Sequence, residues 1–149
     1  KGKITVSESL NNCLNVKAEL EVDLNVTRVA ENVSVARLWN EALLEAIRHD
    51  YARPTVHARN LFHTAIALYD AWAIYDSGAK PYLIGNNVHE FKSILETFKP
   101  QESIELSKKK ALSYAAYKLL THRFKNSPGA SESLKRFDLL MRRIILLKL

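Results

Sequence analysis

The chain predicts a mostly α fold: a helical bundle of four longer helices plus one short helix, with an extended N-terminal arm. Three observations predict it. Apolar residues recur at three- and four-residue spacing through most of residues 34–149. Only four Gly and four Pro occur in 149 residues, which leaves room for long helices and few turns. Residues 1–33 follow a different period and read as a separate segment. The expected organisation is therefore an arm over residues 1–33, extended or partly disordered. A helical bundle follows over residues 34–149, part of a larger helical domain.

In the arm, Val16, Ala18, Leu20, Val22, Leu24 and Val26 alternate with polar residues. Strict period two predicts a strand with one buried face. Ile4 and Val6 could supply a short partner. The first helix is predicted over residues 35–49. Ser34 is a good N-cap, because its hydroxyl can accept an otherwise orphaned backbone N–H. Val35, Leu38, Trp39, Ala42, Leu43, Ala46 and Ile47 make one apolar stripe. Pro54 biases Arg53 away from helical geometry and suits the first turn of a new helix, predicted over residues 55–74. From Leu61 to Tyr75 only His63, Thr64 and Asp70 are polar. A helix apolar on all sides is expected to be the buried hub of a bundle. The predicted shared core is Trp39, Leu61, Phe62, Ile66, Trp72, Leu119 and Phe137.

Ser77, Gly78, Lys80 and Pro81 break the chain. Asn87 and Glu90 form a capping pattern for a short helix carrying Val88, Phe91, Leu95 and Phe98. Pro100 opens a long helix to about residue 124, with Leu112, Ala115, Ala116, Leu119 and Leu120 as its stripe. Residues 126–129 are a turn. The last helix carries Leu134, Phe137, Leu140, Met141, Ile144 and Ile145. The terminal IILLKL is apolar for a chain end, where exposed polar residues are the norm. It predicts either packing on the bundle or a chain cut within a larger domain. In the second case Leu139, Leu140, Ile144, Ile145, Leu146, Leu147 and Leu149, with part of the strand at residues 16–26, would form an uncovered surface.

Composition excludes several function classes. The single Cys13 rules out an internal disulfide. No run of 18 apolar residues occurs, so no spanning helix is expected. The chain starts at Lys1 without a signal-like segment, as a processed or truncated product would. The net charge of +6 is uneven. Residues 1–98 hold 10 basic against 12 acidic side chains, and residues 99–149 hold 12 against 4. A basic half attracts phosphates, nucleic acid, an anionic surface or an acidic partner. No nucleic-acid motif accompanies it, so no specific nucleic-acid partner is expected.

The segments RLWNEALLEAIRHDYARPTVHARNLFHTAIALYDAW and ALSYAAYKLLTHRFKNSPGASESLKRFDLLM together resemble the N-terminal helical region of bacterial vanadium-dependent haloperoxidase-like proteins. These belong to the phosphatidic acid phosphatase type 2 superfamily. The resemblance spans residues 33–141 and rests on helix pattern and word order. It implies a scaffold portion whose catalytic half is absent, so that vanadate or phosphate is expected only with that missing C-terminal half. The family's oxyanion cage reads K-x6-R-P, then P-S-G-H, then S-R-x5-H. Here Arg53-Pro54 has Ala46 where the Lys belongs, Ser127-Pro128-Gly129 has the wrong order, and no Arg has a His six residues on. No catalytic, cofactor-binding or metal residue is therefore assigned. The expected partner is the missing half or a self-associated copy. The alternative is a free-standing helical interaction module with a basic C-terminal half.

Two polar groupings stand out. Asn60, His63 and Asp70 form a broken stripe on the second helix, read as a buried polar network joining helices. His63 and Asp70 lie about 10 Å apart along the axis, too far to bond each other. Glu41, Glu45 and His49 recur every four residues. Di-iron bundles use Glu-x-x-His at three-residue spacing on two helices, so a solvated face is the expected reading.

Overall fold

The structure is a computed structural model that describes residues 33–96 and 99–146. Four helices occur among the described residues: α1 (Val35–Arg48), α2 (Pro54–Ala73), α3 (Ile104–Phe124) and α4 (Ala130–Leu146). The predicted strand of residues 16–26, with the rest of residues 1–32, lies outside the described residues. The helical unit begins at Val35.

The core lies between α1, α3 and α4. Trp39, Ala42, Leu43 and Ala46 enter it from α1, Ala116, Leu120 and Phe124 from α3, and Phe137, Leu140, Met141 and Ile144 from α4. Their three- and four-residue spacing puts each set on one helix face. The Trp39 ring lies 6.4 Å from Tyr117 and 6.3 Å from Phe137, and Phe124 lies 6.3 Å from Phe137. These tilted and edge-on pairings join the three helices through one aromatic cluster. α4 thus turns its apolar stripe inward. Leu140 and Ile144 are buried and Ile145 is half-buried, while Leu139 is exposed.

The predicted hub is corrected by this arrangement. α2 packs chiefly on α3; α1 and α3 both touch every other described helix, and α3 packs the more extensively. From α2 only Leu68 joins the shared core. Trp39 and Phe137 are fully buried as expected, but Leu61, Phe62 and Trp72 are 41%, 59% and 36% exposed. Ile66 and Leu119 are half-buried. The physical reason is side-chain size. The face of α2 turned inward carries Asn60, Thr64, Leu68 and Ala71, mostly small residues. The fully buried Thr64 gives its hydroxyl proton to the Asn60 carbonyl at 2.8 Å, and Ser113 on α3 does the same to Lys109 at 2.8 Å. Both hydroxyls are satisfied within their own helices, so they can be buried without a further partner.

The predicted short helix is also corrected. Residues 87–92 form a tight antiparallel hairpin, β1 (Asn87–Val88) against β2 (Phe91–Lys92), with Val88 opposite Phe91. His89 turns the chain at φ 54°. An isolated short helix is unfavourable unless its apolar side is covered. Here Phe91, Ile94 and Leu95 stay exposed, so no such cover exists. α3 begins at Ile104 rather than beside Pro100, because the Ser103 hydroxyl accepts the Leu106 N–H at 3.4 Å as an N-cap.

The turn between α3 and α4 falls on the predicted residues. Gly129 donates its N–H to the His49 carbonyl at 3.0 Å, tying the turn to the end of α1. A Cβ at position 129 would sit 2.8 Å from that carbonyl oxygen and closer still to the His49 Cβ. Only glycine allows this approach.

Candidate functional site

The polar residues of α2 each meet a different partner. Asp70 is 3% exposed, and its carboxylate accepts three backbone N–H groups, from Tyr82 at 2.6 Å, Leu83 at 2.8 Å and Ile84 at 3.1 Å. It therefore fixes the chain that follows α2 rather than presenting a charge to a ligand. His63 is partly exposed, and its Nδ1 accepts from Arg123 on α3 at 2.7 Å. A guanidinium can only donate, so the neutral His63 ring carries its proton on Nε2. Asn60 is buried beside Thr64 on the inward face. The pair His63–Arg123 joins α2 to α3, and Asp70 joins α2 to the loop.

The remaining candidates resolve into local structure. Arg53 of the Arg-Pro junction donates to both carboxylate oxygens of Asp50 at 3.0 Å, and its guanidinium lies 5.4 Å over the Tyr51 ring. It is the clasp of the α1–α2 corner. Glu45 accepts from Arg48 at 2.7 Å, and that hydrogen bond holds its carboxyl below the ordinary value. Glu41 pairs with Arg37 at 4.0 Å. His49 Nδ1 lies 3.0 Å from the Glu45 carbonyl. His57 Nε2 donates to the Tyr51 carbonyl at 2.7 Å. Among the described residues, no group of three His, Cys, Asp or Glu could hold a metal ion. No described helix is long and apolar enough to cross a membrane.

One open cavity of about 460 Å³ lies between the end of α2 and the start of α3, lined by Ile74, Tyr75, Asp76, Leu95, Glu96 and Ile104. Its size is that of a small-ligand pocket. Its lining brings together the Asp76 and Glu96 carboxylates, the Ser77 hydroxyl and apolar side chains.

The feature that stands out is the outward face of α2. Thr55, Ala58, Phe62, Ala65, Tyr69 and Trp72 are all exposed, with Leu61 beside them. Their spacing of three, four, three, four and three places them on one stripe. No charged residue interrupts it, and Arg59 lies at its edge. Tyr69 is held in place by its hydroxyl, which donates to the Lys80 carbonyl at 3.0 Å, and by the Trp72 ring 5.9 Å away. Sequence reasoning placed Leu61, Phe62 and Trp72 of this face in the core. The signal that separates them was present: α2 carries one stripe of large aromatics and an opposite stripe of small and polar residues, and a tight helix contact needs the small one. Comparisons with protein-family models, with curated proteins and with solved structures returned no match for this chain.

Proposed function

We propose that residues 34–149 are the N-terminal scaffold portion of a vanadium haloperoxidase-like or acid phosphatase-like protein, not catalytically competent by itself. The observation that supports this reading is the outward face of α2. A helix rich in Leu, Phe, Tyr and Trp on its solvent side is unusual for a self-sufficient bundle, because large contiguous apolar patches are rare on monomers. The missing C-terminal half would cover that face and supply the Lys, Arg and His that cradle vanadate or phosphate. Two measurements test it together. The purified 149-residue chain, given vanadate, peroxide and bromide, or a phosphate ester, should turn over nothing above the blank. The coding DNA past Leu149 should carry the Lys, Arg and His motifs. Turnover abolished by a single substitution, or coding DNA without those motifs in any frame, overturns the reading.

A second reading has its own support. α4 buries Leu140, Met141 and Ile144 within the bundle. Lys118, Arg123, Lys125, Arg136 and Arg142 lie exposed along α3 and α4. This is the arrangement of a free-standing helical interaction module whose basic half faces outward. The DNA past Leu149 separates the two readings.

A further inference from the structure

We infer that the outward face of α2 takes a second copy of this chain, with the two α2 helices packed antiparallel about a two-fold axis. The inference rests on the interaction-module reading and gives it a second surface, on α2 rather than on the basic half.

The argument is one of size matching along the stripe. Its residues in order are Thr55, Ala58, Phe62, Ala65, Tyr69 and Trp72, three small followed or interleaved by three large. Two helices packed antiparallel along such a seam interleave their two heptad positions, each one facing the other kind on the partner. If the axis passes between His63 and Thr64, Phe62 faces Ala65 of the other copy. Tyr69 then faces Ala58, and Trp72 faces Thr55. Every large ring meets a small side chain. The parallel alternative sets Phe62 on Phe62, Tyr69 on Tyr69 and Trp72 on Trp72, with small residues opposite small ones. That arrangement leaves alternating bulges and gaps, which close packing disfavours.

The same axis falls at the middle of the helix. α2 runs from Pro54 to Ala73, 20 residues, so its midpoint also falls between His63 and Thr64. The register that matches large to small is therefore the one that overlaps the helices along their whole length, about 30 Å. Leu61 then lies on the same side of the seam as Leu61 of the other copy, about 8 Å away along the axis, extending the apolar contact. Charge does not oppose the pairing. The two Arg59 side chains end up about 13 Å apart along the axis, beyond the ~10 Å over which exposed charges act at moderate salt. Six half-exposed aromatic rings and their flanking aliphatics would hide on the order of 1,000 Å² in total, at about 200 Å² for a whole ring. That is the lower end for a specific interface, so the dimer should be reversible.

The test uses the full chain in a Cys13→Ser background. Ala58→Cys and Tyr69→Cys chains are prepared separately, then oxidised alone and mixed. The antiparallel register places position 58 against position 69 of the other copy, and places position 58 about 16 Å from its own counterpart along the axis. A disulfide-linked dimer should form in the mixture and in neither chain alone. Ala58→Cys cross-linking to itself overturns the antiparallel register. Sedimentation velocity should show a concentration-dependent dimer. Phe62→Glu should lower its association constant by roughly 30-fold or more, and Leu139→Glu on the exposed side of α4 should leave it unchanged. Circular dichroism confirms that each variant stays folded. A chain that is monomeric at every concentration overturns the dimer. If that monomer still binds an apolar dye, and Phe62→Glu abolishes the binding, the module reading survives with another partner. Dye binding indifferent to Phe62→Glu removes both.

Discussion

The carboxylate of Asp70 accepts three successive backbone N–H groups, which converge on it from Tyr82, Leu83 and Ile84. Asp70→Ala strands those donors and should cost about 3 kcal/mol, because hydrogen bonds to a charged group are each worth ~1.5–3 kcal/mol and the loop can partly rehydrate. Asp70→Asn should cost roughly half as much, since one acceptor oxygen remains. Urea denaturation gives the loss. Amide exchange at Tyr82, Leu83 and Ile84 should quicken selectively, and unchanged exchange there would refute the assignment. The two tryptophans supply a second test. Trp39→Ala should cost ~3–5 kcal/mol, as for any fully buried ring. Trp72→Ala should cost less than half of that, because its ring is already partly in water. Equal losses would return Trp72 to the core. From the sequence, Asp70 was legible as a buried polar residue, but its partners lie 12 to 14 residues away in a loop with no periodicity. Trp39 and Trp72 looked alike because local hydrophobicity cannot tell which side of an apolar helix its neighbours choose.

At the scale of elements, helices with one apolar stripe were readable and those with two were not. α1 and α4 have a single stripe, and each buries it as the spacing predicts. α2 and α3 offer two usable faces, so their roles are settled by the residues opposite them. This exchanged the hub, which the sequence placed at α2 and the structure places at α3. The hairpin at residues 87–92 was misread because a capping pattern reports helix starts only where a helix can bury something. The Tyr117 hydroxyl links α3 to α4 by donating to Asp138 at 2.6 Å. That bond, with lesser contributions from burial and the Asp138 charge, pushes the Tyr117 phenol above its ordinary 10. The folded chain therefore holds this proton more tightly than the unfolded chain. Its contribution is fully present below pH ~10 and is lost as pH rises through the folded value. Tyr117→Phe should be less stable than the native chain at neutral pH, and the gap should close in alkaline solution. A gap that stays constant or widens above pH ~10 would show that the bond is not the cause.

Across the whole molecule, three helices share one core and the fourth leans on it. α1, α3 and α4 contribute all but one of the buried residues of that cluster, and the turn at Gly129 ties two of them to the third. α2 is attached through Leu68, its small-residue face and the His63–Arg123 bond. Such an attachment lets one part of a protein open while the rest stays closed. Native-state hydrogen exchange should accordingly show two tiers. The amides of α1, α3 and α4 should exchange only by global unfolding, and those of α2 should exchange earlier, at a lower denaturant dependence. A single tier for all four helices would contradict this.

The consequence reaches synthesis. α2 leaves the ribosome before α3, the helix it rests on, has been made. Its stripe of Phe62, Tyr69 and Trp72 is therefore presented before the helix has its support, and it stays exposed after α4 has folded. Any chaperone that holds this chain should grip it there, and whatever finally occupies that face competes with the chaperone for release.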